Sequence, residues 1–578
     1  MSAVPNLPEE VQEAQTSNAS AATQHISNTA ATRAPATNGI NGTHSITQSG
    51  PGFQLHDHPV ENQRPLRTIV IGAGYSGIYL GIRLPERLRN NSLVIYEKNL
   101  GVGGTWYENR YPGAACDVPS HSYQFSFAPK SDWSSLYAPA PEIREYLTTV
   151  AGRYGVERFV KLGHKVVECR WEEGEGKWHV LVQGPDGNTF EDIGDVLIAA
   201  RGTLNEKAWP EIDGLRDFGG EMMHSAEWNE DYDFHGKKVG IIGSGSSAIQ
   251  ILPQLQKGEG TQINAFIRNR TWISPPFAHA AEEKYGIKNF RFTDSQIESF
   301  KSDPEAWDDF RQTIEFDGNR IHALTIRGTE MAQGAQKAFE AGMKDRLAKK
   351  PEYYDWLKPQ FSPGCRRLTP GPGFLEALVE ENVAYIKSPP VKISAKGIET
   401  EDGKFYELDV LVCATGFYAS SAPPFAVKGL GGKILKDHWA DRATNYLSLT
   451  TDGFPNYFMM LGPNGGIGAG SLTIMIESMG DYVVKAVRKI QKENLKSMVV
   501  KQERVRDFLE YADKYFEGTV YAEECRSWCV FLLLLLPSRS TLVGHDGVRR
   551  SLAQRELTTD WRIRSTGTSA RPKAHPAQ

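Results

Sequence analysis

Two glycine-rich loops, each placed directly after an apolar run, restrict this chain more than any other feature. The first, Gly72-Ala-Gly74-Tyr-Ser-Gly77, follows Arg67-Thr-Ile-Val-Ile71. The second, Gly243-Ser-Gly245-Ser-Ser-Ala248, follows Lys238-Val-Gly-Ile-Ile242. Both runs read as buried strands, and each loop opens a helix-like segment. One such match is weak, because glycine turns after strands are common. Two matches in the same context point to two dinucleotide-binding units, in which glycine lets the backbone approach a pyrophosphate at a helix N-terminus. The expected fold is α/β: two interleaved Rossmann-like domains with parallel-sheet cores in three layers, and a helical insertion. A unit inserted into another requires two crossings. Asp195–Ala200 followed by Arg201-Gly202 is one, and Asp409–Cys413 running into Ala414-Thr415-Gly416 is the other.

The two units differ at the end of their second strands. Ser92-Leu-Val-Ile-Tyr96 ends in Glu97, where an acid hydrogen-bonds a ribose hydroxyl pair. Gln262-Ile-Asn-Ala-Phe-Ile267 ends in Arg268-Asn-Arg270-Thr271, with no acid. An arginine there accommodates a 2′-phosphate, so NADP is favoured over NAD. The plainer alternatives are an exposed strand-end carboxylate and two solvated loop arginines.

Composition excludes several classes. The chain has 578 residues with net charge -5, and no basic stripe suggests nucleic acid. The six cysteines lack paired spacing, so neither a disulfide framework nor a zinc site is expected. No apolar segment near Met1 reads as a secretory signal, and the run Cys529–Leu536 is too short to span a bilayer. A cytoplasmic protein with no metal is expected.

Between the two loops lies Phe218-Gly-Gly-Glu-Met-Met-His224-Ser-Ala-Glu-Trp228. Its pattern, FxGxxxHxxxW, resembles the fingerprint of Baeyer–Villiger monooxygenases, and the likeness runs over roughly residues 66–528. The resemblance implies FAD and NADPH as cofactors, with O2 and a small-molecule ketone as substrates. The implied product is an ester or lactone, one oxygen having been inserted beside the carbonyl. It also implies that Arg367, in the loop Cys365-Arg-Arg-Leu, is the catalytic cation and that Asp117 holds it. A fixed guanidinium suits this role, because an oxyanion develops during the reaction. Residues implied to hold FAD are Gly72, Gly74, Gly77, Glu97, Thr105, Trp106, Tyr107, Glu108, Asp117, Tyr123 and Val166. Those implied for NADPH are Ala115, Cys116, Gly243, Ser244, Gly245, Ser246, Ser247, Ala248, Gln250, Arg270, Thr271 and Arg366. His224 and Trp228 are read as linker residues rather than proton carriers. Rival readings are a flavin-dependent N- or S-oxygenase and a non-catalytic flavoprotein.

The resulting domain plan is a low-complexity leader (1–60), an FAD domain (61–202 and 414–528), an NADP domain (203–276 and 361–413) and a helical insertion (277–360). The leader is expected to be disordered because it offers almost no large apolar side chains. Residues 529–578 depart from the family and read as an unfolded tail, from a retained intron or a frameshift. Composition is compatible with a biosynthetic enzyme of secondary metabolism.

Overall fold

Strand β1 (Leu66–Ile71) is central in a five-stranded parallel sheet. On one side it pairs with β2 (Asn91–Tyr96), which in turn pairs with β3 (Val160–Lys161). On the other side lie β7 (Val196–Ala199) and then β17 (Tyr457–Met459). Alternation along β1 sends its side chains to two cores. Leu66 and Val70 face the helices Tyr75–Arg87 and Leu472–Lys492, among Ile78, Leu80, Val483 and Val487. Ile69 and Ile71 face a four-stranded sheet built from β4 (Lys165–Glu172), β5 (Lys177–Gln183), β6 (Thr189–Gly194) and β16 (Ala426–Lys428). Trp178 fills that second core with no exposed surface, and its indole N–H donates to the Pro455 carbonyl at 2.8 Å. Truncating it to alanine costs about 3–5 kcal/mol, from lost burial plus the cavity left behind.

The second glycine loop follows β9 (Lys238–Ile242), again the middle of a five-stranded parallel sheet. Its neighbours are β10 (Gln262–Phe266) and then β11 (Val383–Ile386) on one side. On the other are β15 (Val410–Cys413) and then β8 (Glu221–His224). Val239 and Ile241 pack with Ile249 and Leu252 of the helix Ser246–Leu255. Ile242, Leu411 and Cys413 pack on the opposite face against a three-stranded sheet of β12 (Pro390–Ser394), β13 (Gly397–Thr400) and β14 (Phe405–Glu407). A Cβ at Gly240 would come within 2.6 Å of Leu408, so that layer sits close to the strand.

Between β10 and β11 the chain is mostly helical: His279–Tyr285, Asp294–Ser302, Pro304–Leu324, Glu330–Arg346 and Glu352–Leu357. Thr293 and Asp303 cap two of these helices through side-chain acceptors. This insertion packs onto the segment after β2 through Phe292, Phe300 and Phe310, whose rings surround His121.

The computed structural model describes residues 61–276, 278–418, 422–466, 468–525 and 561–565. The leader 1–60 therefore lies outside the described residues, as does most of the tail. Five tail residues do form structure, against the expectation of an unfolded segment: β19 (Trp561–Ser565) pairs antiparallel with β18 (Leu495–Val500). The expectation of no disulfide is also wrong. Cys365 and Cys525 are bonded across 160 positions, with Cα atoms 6.2 Å apart. Only the fold brings them together, so spacing along the chain carries no sign of the pair. Among the described residues, no helix is long and apolar enough to cross a membrane. No described group of His, Cys, Asp and Glu could hold a metal ion.

Candidate active site

The first loop is shaped by contacts that exclude side chains. Gly72 has φ +102°, and a Cβ there would lie 2.7 Å from the Ala200 carbonyl oxygen. A Cβ at Gly77 would lie 2.0 Å from the Gly72 oxygen, so the helix start must press directly on the turn. Gly74 is the N-cap of the helix Tyr75–Arg87 and supplies no side-chain cap, which leaves first-turn N–H groups for a ligand. Glu97 directly follows β2 and is only 4% exposed, accepting from the N–H of Ala73 at 2.8 Å and of Asn99 at 2.9 Å. Burial raises its pKa, while the two N–H donors oppose that shift.

The segment after β2 folds over this loop. Gly103 and Gly104 take φ +124° and +54° and open the short helix Thr105–Glu108. Trp106 is buried, and its indole N–H donates to the Tyr123 hydroxyl at 3.3 Å. Burial pushes the Tyr123 phenol up to about 12. Glu108 pairs with Lys98 at 2.9 Å, and Tyr107 lies under the Arg110 guanidinium. The helix Leu472–Lys492 joins here too: its cap Ser471 donates to the Ser122 carbonyl at 2.9 Å. Val166 is placed differently from its neighbours in the implied set. Its side chain belongs to the core between the two sheets of the first fold.

At the second loop, Gly243 has φ +132°, and a Cβ there would meet the Ala414 oxygen at 2.3 Å. Gly245 caps the helix Ser246–Leu255 without a side chain, and the space where its Cβ would stand is open within 4 Å. Ser244 donates to the Asn269 carbonyl at 2.6 Å, and the Ser246 and Thr369 hydroxyls are 3.3 Å apart. Ser247 lies in the first helical turn, and Ala248 is buried beneath it. Gln250 joins the two folds, donating to the Ala115 carbonyl at 3.0 Å and accepting from the Tyr111 hydroxyl at 2.8 Å. Sequence reasoning singled out Gln250 and missed Tyr111, which carries no motif.

The arginine loop makes the second junction. Arg367 is ion-paired with Asp117, which is largely buried while the guanidinium keeps about a third of its surface. Next to Asp117, Cys116 is buried, and its thiol points to the Val118 carbonyl at 3.1 Å. Burial raises that thiol's pKa, so no thiolate stands at the junction. Arg366 points elsewhere. Its Nε donates to the Cys525 carbonyl at 2.6 Å, and a terminal nitrogen donates to the Arg270 carbonyl at 3.3 Å. Arg270 in turn reaches the Lys358 carbonyl at 3.3 Å, and the Thr271 N–H donates to Leu357. Thus the disulfide Cys365–Cys525, one residue before the arginine pair, ties this loop to the end of the described C-terminal segment.

His224 is fully buried at the end of β8. Its Nδ1 accepts from the Ala226 N–H at 3.1 Å, which makes Nε2 the donor to the Gly416 carbonyl at 3.0 Å. Burial lowers its pKa. Both nitrogens are committed to backbone, across to the Thr415-Gly416 crossing. Trp228 stacks on Phe234 with ring centroids 5.6 Å apart.

Two parallel-sheet folds, each with a glycine turn that opens a helix without a side-chain cap, and joined by an arginine–aspartate pair, define a flavoprotein with a second dinucleotide site. Known proteins agree. A family model described as an NAD(P)-binding Rossmann-like domain matches residues 70–139. The FAD-binding monooxygenase tazF of Aspergillus terreus is 38% identical, with 84% of each chain covered. A Baeyer–Villiger monooxygenase of Pseudomonas aeruginosa is 32% identical over 80% of this chain and 85% of its own. The solved cyclohexanone monooxygenase from Rhodococcus sp. Phi1 bound to NADP+ superposes with TM-score 0.68 at 28% identity, covering 79% of this chain and 91% of that one. The chain belongs to the Baeyer–Villiger monooxygenase family, and it is an FAD-dependent monooxygenase.

Proposed function

We propose that the protein uses NADPH and O2 to insert one oxygen atom beside the carbonyl of a small-molecule ketone, giving an ester or lactone. The observation that carries this reading is the Arg367–Asp117 pair, a cation held at the junction of the two folds. Both glycine turns fit their cofactors. Side chains are excluded at Gly72, Gly77 and Gly243, and the space beside Gly245 is open. FAD would lie along Gly72–Gly77 with Glu97 near a ribose, and NADPH along Gly243–Ala248 with Arg270 near a 2′-phosphate. When bound and reduced, FAD supplies the activation of O2.

The chain's own residues supply geometry and charge. Asp117 accepts from the Arg367 guanidinium and so limits the directions it can face. A fixed cation is worth most where negative charge develops, here the oxyanion formed when the ketone carbonyl is attacked. His224 ties β8 to the Thr415-Gly416 crossing, with its Nε2 proton committed to the Gly416 carbonyl, and Trp228 stacks on Phe234, so this reading gives neither a proton-transfer role. A role in secondary metabolism and a cytoplasmic location belong to the same reading, and both rest on the sequence. The test is oxidation of NADPH by the purified protein against a ketone panel, with product masses. Ketone-dependent consumption with a product one oxygen heavier is expected. Consumption that yields only hydrogen peroxide with every ketone would refute the reading.

A further inference from the structure

Next to Arg270 lies a cavity of about 430 Å³ whose far wall belongs to the helical insertion. Gln336, Asp355, Lys358 and Gln360 contribute to that wall. A dinucleotide laid along the second glycine turn puts its adenosine ribose over the end of β10, where Arg268–Thr271 follow. Ser244 fixes that turn by donating to the Asn269 carbonyl. Arg270 lines this cavity, so a 2′-phosphate held by Arg270 would lie beside it. Arg366 has two of its donor nitrogens on the carbonyls of Cys525 and Arg270. The cations that line the cavity itself are Arg270 and Lys358.

We propose that Lys358, from the insertion, is a specificity-determining cation for the 2′-phosphate of NADPH, and that Glu340 is its built-in competitor. Lys358 Nζ now sits 2.9 Å from Glu340 Oε1, and both side chains keep solvent exposure. Gln336 donates to the same carboxylate oxygen at 3.2 Å. A phosphate offers more acceptor oxygens and more charge than a carboxylate, so it takes over the ammonium when it enters. Asp355 lines the same cavity and repels the phosphate, which sharpens the need for a second cation beside Arg270. The exchange couples the insertion to the presence of the 2′-phosphate, because Lys358 directly follows the helix Glu352–Leu357. The backbone here is already tied to the second fold: the Thr271 N–H donates to Leu357, and Arg270 donates to the Lys358 carbonyl.

The inference rests on the NADPH reading, and calorimetry on the FAD-loaded full chain separates the two. The probes are 2′,5′-ADP and 5′-AMP, which differ by the phosphate in question. The parent is expected to prefer 2′,5′-ADP; equal binding of the two would overturn the NADPH reading and this proposal together. Lys358→Met is expected to reduce the preference about tenfold, the scale of one charge-assisted hydrogen bond. Glu340→Gln is expected to increase it, since the competitor's charge is gone. A parent that discriminates while Lys358→Met keeps the full preference would overturn the role of Lys358 alone. A preference that falls in Glu340→Gln would make the carboxylate a support for the lysine and overturn the competition. Should the methionine variant fold poorly, Lys358→Arg and Glu340→Gln carry the test, and the arginine variant must retain the preference.

Discussion

Asp117 and Arg367 stand 250 positions apart in the chain and meet as an ion pair, the aspartate on the segment that covers the first glycine turn and the arginine on a loop of the second fold. Gln250 reaches the neighbouring Ala115 from the helix Ser246–Leu255, so one short stretch, 115–117, is held at two points. The cation's position is therefore set by both folds at once.

The glycines separate binding from folding. Gly77→Ala forces a Cβ to within 2.0 Å of a backbone oxygen, with no flexible neighbour to yield. This variant is expected to purify without FAD and with reduced stability. Gly245→Ala meets nothing within 4 Å. It is expected to keep its FAD and its Tm while NADPH affinity falls, because the added methyl occupies the backbone's approach to pyrophosphate. Flavin absorbance, thermal melting and NADP+ titration measure the three quantities. A Gly245→Ala variant with parental NADP+ affinity would reassign the second turn.

The disulfide is expected to stabilise the arginine loop. Cross-linking residues so far apart removes conformational freedom from the unfolded chain and contributes about 2–4 kcal/mol in typical proteins. Cys365→Ser or Cys525→Ser should lower stability by that order, and treatment with dithiothreitol under mild denaturation should lower the parent to the same level. Identical melting curves for parent and variants, reduced or not, would show the link to be energetically silent.

Acid stability should depend on His121. Its ring is caged by Phe292, Phe300 and Phe310 with centroids 5.4, 5.6 and 5.0 Å away. Burial takes its pKa from 6.5 down to about 3. The folded state therefore holds the imidazole neutral while the unfolded chain protonates it. The contribution is fully present above pH 6.5 and is lost progressively as pH falls toward 3. Denaturant midpoints between pH 7 and pH 4 should fall more steeply for the parent than for His121→Leu. Parallel slopes would remove His121 from the acid limb.

Much of this was legible in local sequence, for a physical reason. A turn that needs φ of +102° or +132° and excludes a Cβ can be written only with glycine, so Gly72 and Gly243 announced both folds. Glu97 was readable because the end of the second strand is fixed in position by the turn before it. What needed coordinates were relationships between distant segments. Nothing near Cys365 marks Cys525 as its partner, and nothing in Cys365-Arg-Arg-Leu says that Arg366 serves backbone carbonyls while Arg367 meets Asp117. Tyr111, Lys358 and the strand Trp561–Ser565 escaped for the same reason. Val166 shows the converse limit: a place in an implied site, with a side chain that the structure commits to the core.

Stopped-flow absorbance on Arg367→Ala tests the role of the cation most directly. Flavin is first reduced anaerobically by NADPH, then mixed with O2 and a ketone that the parent oxidises. Reduction is expected to survive largely intact, since hydride delivery depends on the glycine turns. Ester formation is expected to fall by about 10²–10³, the usual loss when one preorganised donor to a developing oxyanion is removed. Arg367→Lys should recover little, because a point charge lacks the planar fork that Asp117 orients. Ester formed at near-parental rate by Arg367→Ala, or reduction lost as severely as oxygenation, would contradict the assignment of Arg367 to oxygen insertion.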